Sequence, residues 1–86
     1  MDDNTLITFA YVDISTYRKK TVKTLNNNVK TPTQIANDSG IRTNHISKVL
    51  RELKEKDVVE CINEDAKKGR LYRLTSLGEE IAKKLD

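Results

Sequence analysis

Residues 31–53 read TPTQIANDSGIRTNHISKVLREL, and this stretch carries two helices with a tight turn between them. Thr31 can cap the free N–H groups of a helix start, and Pro32 suits the first helical position, where a missing N–H costs nothing. Gln34 has the spacing to reach back and complete a capping box. Gly40 suits the residue just past a helix end, where the backbone turns left-handed. Ile35 and Ala36 are the expected buried residues of this short helix. A second helix follows within a few residues, with Thr43 as its expected cap. Ile46, Val49, Leu50 and Leu53 fall at i, i+3, i+4 and i+7, which puts them on one buried stripe. The helix should end near Lys56, where lysines favour the C-terminal dipole. Short helix, tight turn and longer helix together make a helix-turn-helix.

Before it, Asn26-Asn27-Asn28 break an amphipathic helix over about residues 15–25. Ile14, Tyr17, Val22 and Leu25 are read as its apolar face, with Arg18, Lys19, Lys20 and Lys23 between them. Leu6 to Val12 is apolar but too short for periodicity to choose helix or strand. After residue 56, Val58-Val59-Glu60-Cys61-Ile62 is β-branched and strand-like, and Arg70-Leu71-Tyr72-Arg73-Leu74 reads as the returning strand. The polar residues 63–69 make the loop of that hairpin. Thr75 or Ser76 caps a last helix, and Ser76 has capping-box spacing to Glu79. Leu77, Ile81, Ala82 and Leu85 are its apolar residues. Gly78 is counted with Pro32, Gly40 and Gly69 as punctuation. The fold class expected is mainly α with a small β-hairpin (α+β), a winged helix-turn-helix. It has a three-helix core, a wing and a C-terminal helix, in one domain over 1–86 with 1–13 as an N-terminal extension.

Composition limits the function classes. The 86 residues are 36% hydrophobic and hold no tryptophan and one phenylalanine, so the core is small. Charged residues make up 34%, above the ~25% of ordinary soluble domains, which indicates a well-solvated surface. Net charge is +3, a mild lean toward anionic partners. One cysteine, Cys61, excludes an internal disulfide; with one histidine, His45, it also leaves no protein-only zinc set. No cofactor or metal is expected. No apolar run reaches the ~18 residues of a membrane span, and the start Met1-Asp2-Asp3 is acidic where a signal peptide is basic. The expected location is the cytoplasm, with no membrane partner. No nucleophile–base pair, carboxylate dyad or phosphate-cradling glycine loop is visible, so an enzyme is not expected.

The face of the helix over 43–56 opposite its apolar stripe carries Asn44, Lys48, Arg51 and Glu55, flanked by His45 and Ser47. Asn pairs with adenine, and Arg or Lys with guanine, at base edges in the major groove. The same side chains can instead bind phosphates. Lys67 and Lys68 at the hairpin tip, with Arg70 and Arg73 on the return, suit a phosphate run or a minor groove. Glu64 and Asp65 share that loop and weaken the patch. Tyr72 beside Leu74 reads as core.

On these residues the sequence resembles winged helix-turn-helix regulators of the multiple-antibiotic-resistance and arsenical-resistance repressor superfamily, in their short, stand-alone archaeal form. The resemblance rests on Tyr17-Arg18-Lys19-Lys20, Thr31 to Ala36, Ile46 to Leu53, Val58 to Cys61, Gly69 to Thr75 and Gly78, over roughly residues 14–85. It implies double-stranded DNA as partner and places base reading on Thr43, Asn44, His45, Ser47 and Lys48. It places the wing role on Lys67, Lys68 and Arg70. Asp57 stands where the family usually has glycine, so that corner is expected to be strained. Arg42 stands where the family often has a cap, which moves the expected cap to Thr43. The metal-binding cysteine pairs of arsenical-resistance repressors are absent.

The function expected is sequence-specific DNA binding by a small transcriptional regulator, as a homodimer. Its dimer surface is expected on Leu6, Ile7, Phe9 and Val12, or on Leu77, Ile81 and Leu85. The alternative is a winged helix that contacts a partner protein without reading DNA.

Overall fold

Gly40 adopts φ +76° and its N–H donates to Ala36 O at 3.0 Å, so the turn closes where the sequence places it. The computed structural model describes residues 2–85; Met1 and Asp86, the ends of the expected 1–86 domain, lie outside the described residues. The elements are α1 (Asp3–Asp13), α2 (Thr16–Leu25), α3 (Pro32–Ser39), α4 (Thr43–Glu55), β1 (Val59–Cys61), β2 (Tyr72–Leu74) and α5 (Ser76–Lys84).

The start of α3 forms the expected reciprocal cap. Thr31 Oγ1 accepts from Gln34 N at 3.2 Å, and Gln34 Oε1 accepts from Thr31 N at 2.9 Å. Ile35 and Ala36 are buried, as are Ile46, Val49, Leu50 and Leu53 of α4. They meet Val12, Val22, Leu25, Ile41, Val58, Val59, Leu74 and Ile81 in one core. Each fully buried Leu or Ile contributes about 1.5–3 kcal/mol before entropy is counted.

The segment Leu6 to Val12 is helical. Asp2 Oδ1 accepts from Thr5 N at 2.7 Å and so caps α1; that N–H holds the Asp2 carboxyl below its ordinary range. Thr5 and Val12 face inward, and α1 packs on α2 and α5.

The apolar face assigned to α2 requires a correction. Ile14 is 79% exposed and Tyr17 is 43% exposed, whereas Thr21 is buried beside Val22 and Leu25. The inward row is Arg18, Thr21, Val22 and Leu25, at i, i+3, i+4 and i+7. Two of its members are polar: Thr21 is satisfied within its own helix, whereas Arg18 finds partners for its two terminal nitrogens and leaves its buried Nε without one. Thr21 Oγ1 donates to Tyr17 O at 2.8 Å. Arg18 Nη1 donates to Tyr11 O at 3.0 Å, its guanidinium lies 3.7 Å from the Tyr11 ring centroid, and Nη2 meets Glu52 at 3.4 Å. Arg18 therefore ties α1 and α2 to α4.

The strands are shorter than read from the sequence. They pair antiparallel through Val59↔Leu74, Glu60↔Arg73 and Cys61↔Tyr72. Val58 leaves the ladder because its N–H donates to Leu53 O at 2.9 Å, at the end of α4, and its carbonyl accepts from Thr75 N at 3.0 Å. Tyr72 exchanges both backbone bonds with Lys30, at 2.9 and 3.1 Å, which fastens the wing base to the entry of α3.

Two glycine and cap assignments also change. Thr75, not Ser76, caps α5, its Oγ1 accepting from Gly78 N at 3.0 Å, so the Ser76–Glu79 capping box does not form. Gly78 is inside the helix rather than a break. A Cβ there would lie 2.1 Å from Val58 O, so the glycine sets the approach of α5 to the link between α4 and β1. Asp57 adopts φ +63°, the left-handed corner expected there.

Candidate nucleic-acid interface

Burying the stripe of Ile46, Val49, Leu50 and Leu53 fixes the rotation of α4 and leaves Thr43, Asn44, His45, Ser47, Lys48 and Arg51 exposed. Asn44, Lys48, Arg51 and Glu55 form one row at i, i+4, i+7 and i+11. Ser47, Arg51 and Lys54 form a second row, turned toward the wing. Arg51 belongs to both. The cap expected at Thr43 does not form: Arg42 occupies the cap position without a side-chain bond, and Thr43 is the first residue of the helix. The His45 ring lies against Tyr17, with centroids 5.7 Å apart and planes tilted by 45°. Tyr17, assigned to the core from the sequence, thus stands at the outer surface beside the start of α4.

The wing loop is held from within. Asn63 Oδ1 accepts from Leu71 N at 2.7 Å, and its Nδ2 donates to Gly69 O at 3.2 Å. Arg70 Nε donates to Ala66 O at 2.9 Å, and Gly69 makes the turn with φ +67°. Lys67, Lys68 and Arg70 are exposed on this loop. Arg73 is removed from the basic set, because its Nε donates to Glu60 Oε2 at 2.7 Å across the hairpin.

A cleft of about 400 Å³ runs between α4 and the wing loop. Ser47, Arg51 and Lys54 line one wall, Lys67 and Arg70 the other, with Pro32, Leu50 and Tyr72 at the base. Lys54 is ion-paired with Glu64. The Lys54 ammonium holds the Glu64 carboxyl below its usual range, and the carboxylate raises the lysine in turn. Among the described residues, Arg51, Lys67 and Arg70 have no carboxylate partner. Lys54 is the cleft residue that sequence reading passed over. Its spacing of i+3 from Arg51 and i+7 from Ser47 was the available signal.

The expected dimer surface requires a correction. Val12 and Ile81 are fully buried, and Phe9, Leu77 and Leu85 pack against the core. Leu6 and Ile7 remain exposed, at 55% and 68%. No helix of the described residues is long and apolar enough to cross a membrane.

The chain is similar to two solved structures of variants of ZitR from Lactococcus lactis. One has a TM-score of 0.70 at 20% identity, over 80% of this chain and 48% of that chain. The other, in apo form, has a TM-score of 0.69 at 24% identity, over 92% of this chain and 60% of that chain. The fold is a winged helix. It is the α+β class expected from the sequence, with a helix added in front of the three-helix core and with α4 as the second helix of the helix-turn-helix. This winged helix spans between about half and three-fifths of the length of the ZitR chains it matches. No family model matches the chain, and no curated protein does.

Proposed function

We propose that this winged helix binds double-stranded DNA and regulates transcription from within the cytoplasm. The observation that carries the reading is the shared exposure of Asn44, Lys48 and Arg51 on α4 and of Lys67, Lys68 and Arg70 on the wing, with Arg51 facing Lys67 and Arg70 across one cleft. The thirteen residues of α4 make a rod about 20 Å long, and B-DNA has a major groove about 12 Å wide, so the helix can lie in it. In that pose Thr43, Asn44, His45, Ser47 and Lys48 approach base edges and Arg51 reaches a base or a phosphate. The wing cations meet the flanking backbone or minor groove. The likeness of the fold to the ZitR structures supports the same reading.

Titration with duplex DNA at two salt concentrations tests it. Binding should be strongest at low salt, and Lys48→Glu with Arg51→Glu should abolish it while the circular dichroism spectrum stays unchanged. A folded wild-type chain with no affinity at low salt refutes the proposal.

A homodimer is part of the proposal. Its surface is the outward side of α1, where Leu6 and Ile7 are exposed apolar groups. Leu6→Glu with Ile7→Glu should shift sedimentation from dimer to monomer. A wild-type chain that sediments as a monomer at high concentration removes this part.

A further inference from the structure

We propose that the cleft between α4 and the wing loop is a binding site for a small oligophosphate anion, filled without DNA and closed to the DNA backbone while filled. The first half stands on the cleft alone; the second half rests on the DNA-binding reading above.

The cleft has the size of a small-molecule site. Its volume of about 400 Å³ lies within the ~300–1,000 Å³ of ordinary ligand pockets, and it is roomier than one phosphoryl group needs. Its lining charges are all positive, with the Glu64 carboxylate beside them on Lys54. Arg51 and Lys54 on α4 face Lys67 and Arg70 on the wing, and of these four only Lys54 has a carboxylate partner among the described residues. Like charges gathered in a concave site repel one another and focus positive potential. An anion that enters relieves the repulsion, so it should stabilise the fold as well as bind.

The donor chemistry selects phosphate. Two guanidinium forks, Arg51 and Arg70, match phosphoryl oxygens in bidentate geometry, and Lys54 and Lys67 add compact charges. Ser47 supplies a hydroxyl on the α4 wall and Tyr72 another at the base. Arg70 is already oriented by its Nε bond to Ala66 O at 2.9 Å, which leaves its two terminal nitrogens for a ligand and lowers the ordering cost. The cations lie on both walls, so linked phosphoryl groups can meet more of them at once than a single phosphate can. Entry of the anion displaces Glu64 from Lys54.

The test is calorimetry and nitrogen-15 NMR of the full chain without DNA. The titrants are tripolyphosphate and inorganic phosphate at matched ionic strength. Saturable one-to-one binding of tripolyphosphate is expected, weaker binding of phosphate, and shifts at Arg51, Lys67 and Arg70. Arg51→Ala with Lys67→Ala should weaken tripolyphosphate by tenfold or more while circular dichroism shows a folded chain. Arg70→Lys, which keeps the charge and loses the fork, should weaken it about threefold or more. Lys83→Ala with Lys84→Ala, a cation pair on α5, should change nothing. Glu64→Gln should tighten binding. Absence of saturation at low salt, or equal weakening by the α5 pair, overturns the site. A second titration adds tripolyphosphate to the chain bound to duplex DNA, and release of the duplex is expected. If the duplex binds while tripolyphosphate does not, the cleft serves backbone phosphates alone and the free-anion site is wrong. If tripolyphosphate binds and no duplex does, the DNA-binding reading fails and the anion site stands.

Discussion

Gly78 sits where a Cβ would fall 2.1 Å from the carbonyl oxygen of Val58 and 3.1 Å from the Leu74 Cβ. Alanine at a helix interior is normally better than glycine by about 1 kcal/mol. Here the backbone contact reverses the sign, because α5 would have to move off Val58 and loosen the core around Ile81. Gly78→Ala should therefore destabilise the chain by roughly 1–3 kcal/mol, measured by urea unfolding. Asp57 presents the opposite case. It holds φ +63° with a Cβ in place, and its carbonyl accepts from Thr75 Oγ1 at 2.6 Å. Asp57→Gly keeps that backbone bond and removes the left-handed penalty, so it should stabilise by about 0.5–1 kcal/mol in the same assay. The Asp57 corner was legible because the resemblance expects glycine there. The role of Gly78 was not, because its reason is a neighbour twenty residues away in sequence.

Elements differ in how openly the sequence states them. α3 and α4 are written in local code: a capping box, a left-handed glycine and an unbroken apolar stripe. α2 is written in tertiary code. Its inward row contains Arg18 and Thr21, which look like surface residues until Tyr11 and Glu52 are brought to them. A periodicity reading shifts the face by one residue and takes Ile14 and Tyr17 as core. Removing Arg18 should act accordingly. Arg18→Ala loses the stacking on Tyr11 and leaves Glu52 without its partner, so it should cost about 1–3 kcal/mol, although the residue is charged. The wing shows a pH response at the same scale. The Glu64 carboxyl lies below its ordinary value of 4.5, chiefly through the hydrogen bond from Lys54. The pairing is therefore complete above that ordinary value and is lost as pH falls through the lowered one. Lys54 is raised above its ordinary 10.5, so its share is complete below 10.5 and is lost only as pH rises past the raised value. Amide shifts of the wing loop followed from pH 6 to pH 2 should show the release of Lys54 below about pH 4.5, with no such step in Glu64→Gln.

Across the whole molecule, a net charge of +3 understates the cations that pairing leaves available. Acidic residues neutralise Lys19, Lys30 and Arg73 in ion pairs with Asp13, Asp38 and Glu60. Among the described residues, Lys20, Lys23, Arg42, Lys56, Lys83 and Lys84 are without such partners elsewhere on the surface, and Lys48, Arg51, Lys67, Lys68 and Arg70 are without them on α4 and the wing. If these five each meet a phosphate, the logarithm of the DNA association constant should fall with the logarithm of salt with a slope of about −4 to −5 per protomer. Each Lys→Ala at the wing should reduce that slope by about one. Composition alone could not show this, because pairing between distant residues decides which charges remain available. The order from α2 onward, by contrast, was legible, since turn or cap residues mark off its elements, whereas Leu6 to Val12 was too short for its period to choose between helix and strand.

The staple made by Asn63 has a consequence for how such a molecule can change over evolutionary time or in the laboratory. Residues 64–68 are enclosed by bonds from Asn63 to Leu71 N and Gly69 O and by the Arg70–Ala66 bond, while Tyr72 and Lys30 lock the base. The tip is thus an interchangeable cassette on a closed clasp. Its length and charge can be rewritten between Asn63 and Gly69 without disturbing the core, so what the wing touches and how stably the protein folds can be altered separately.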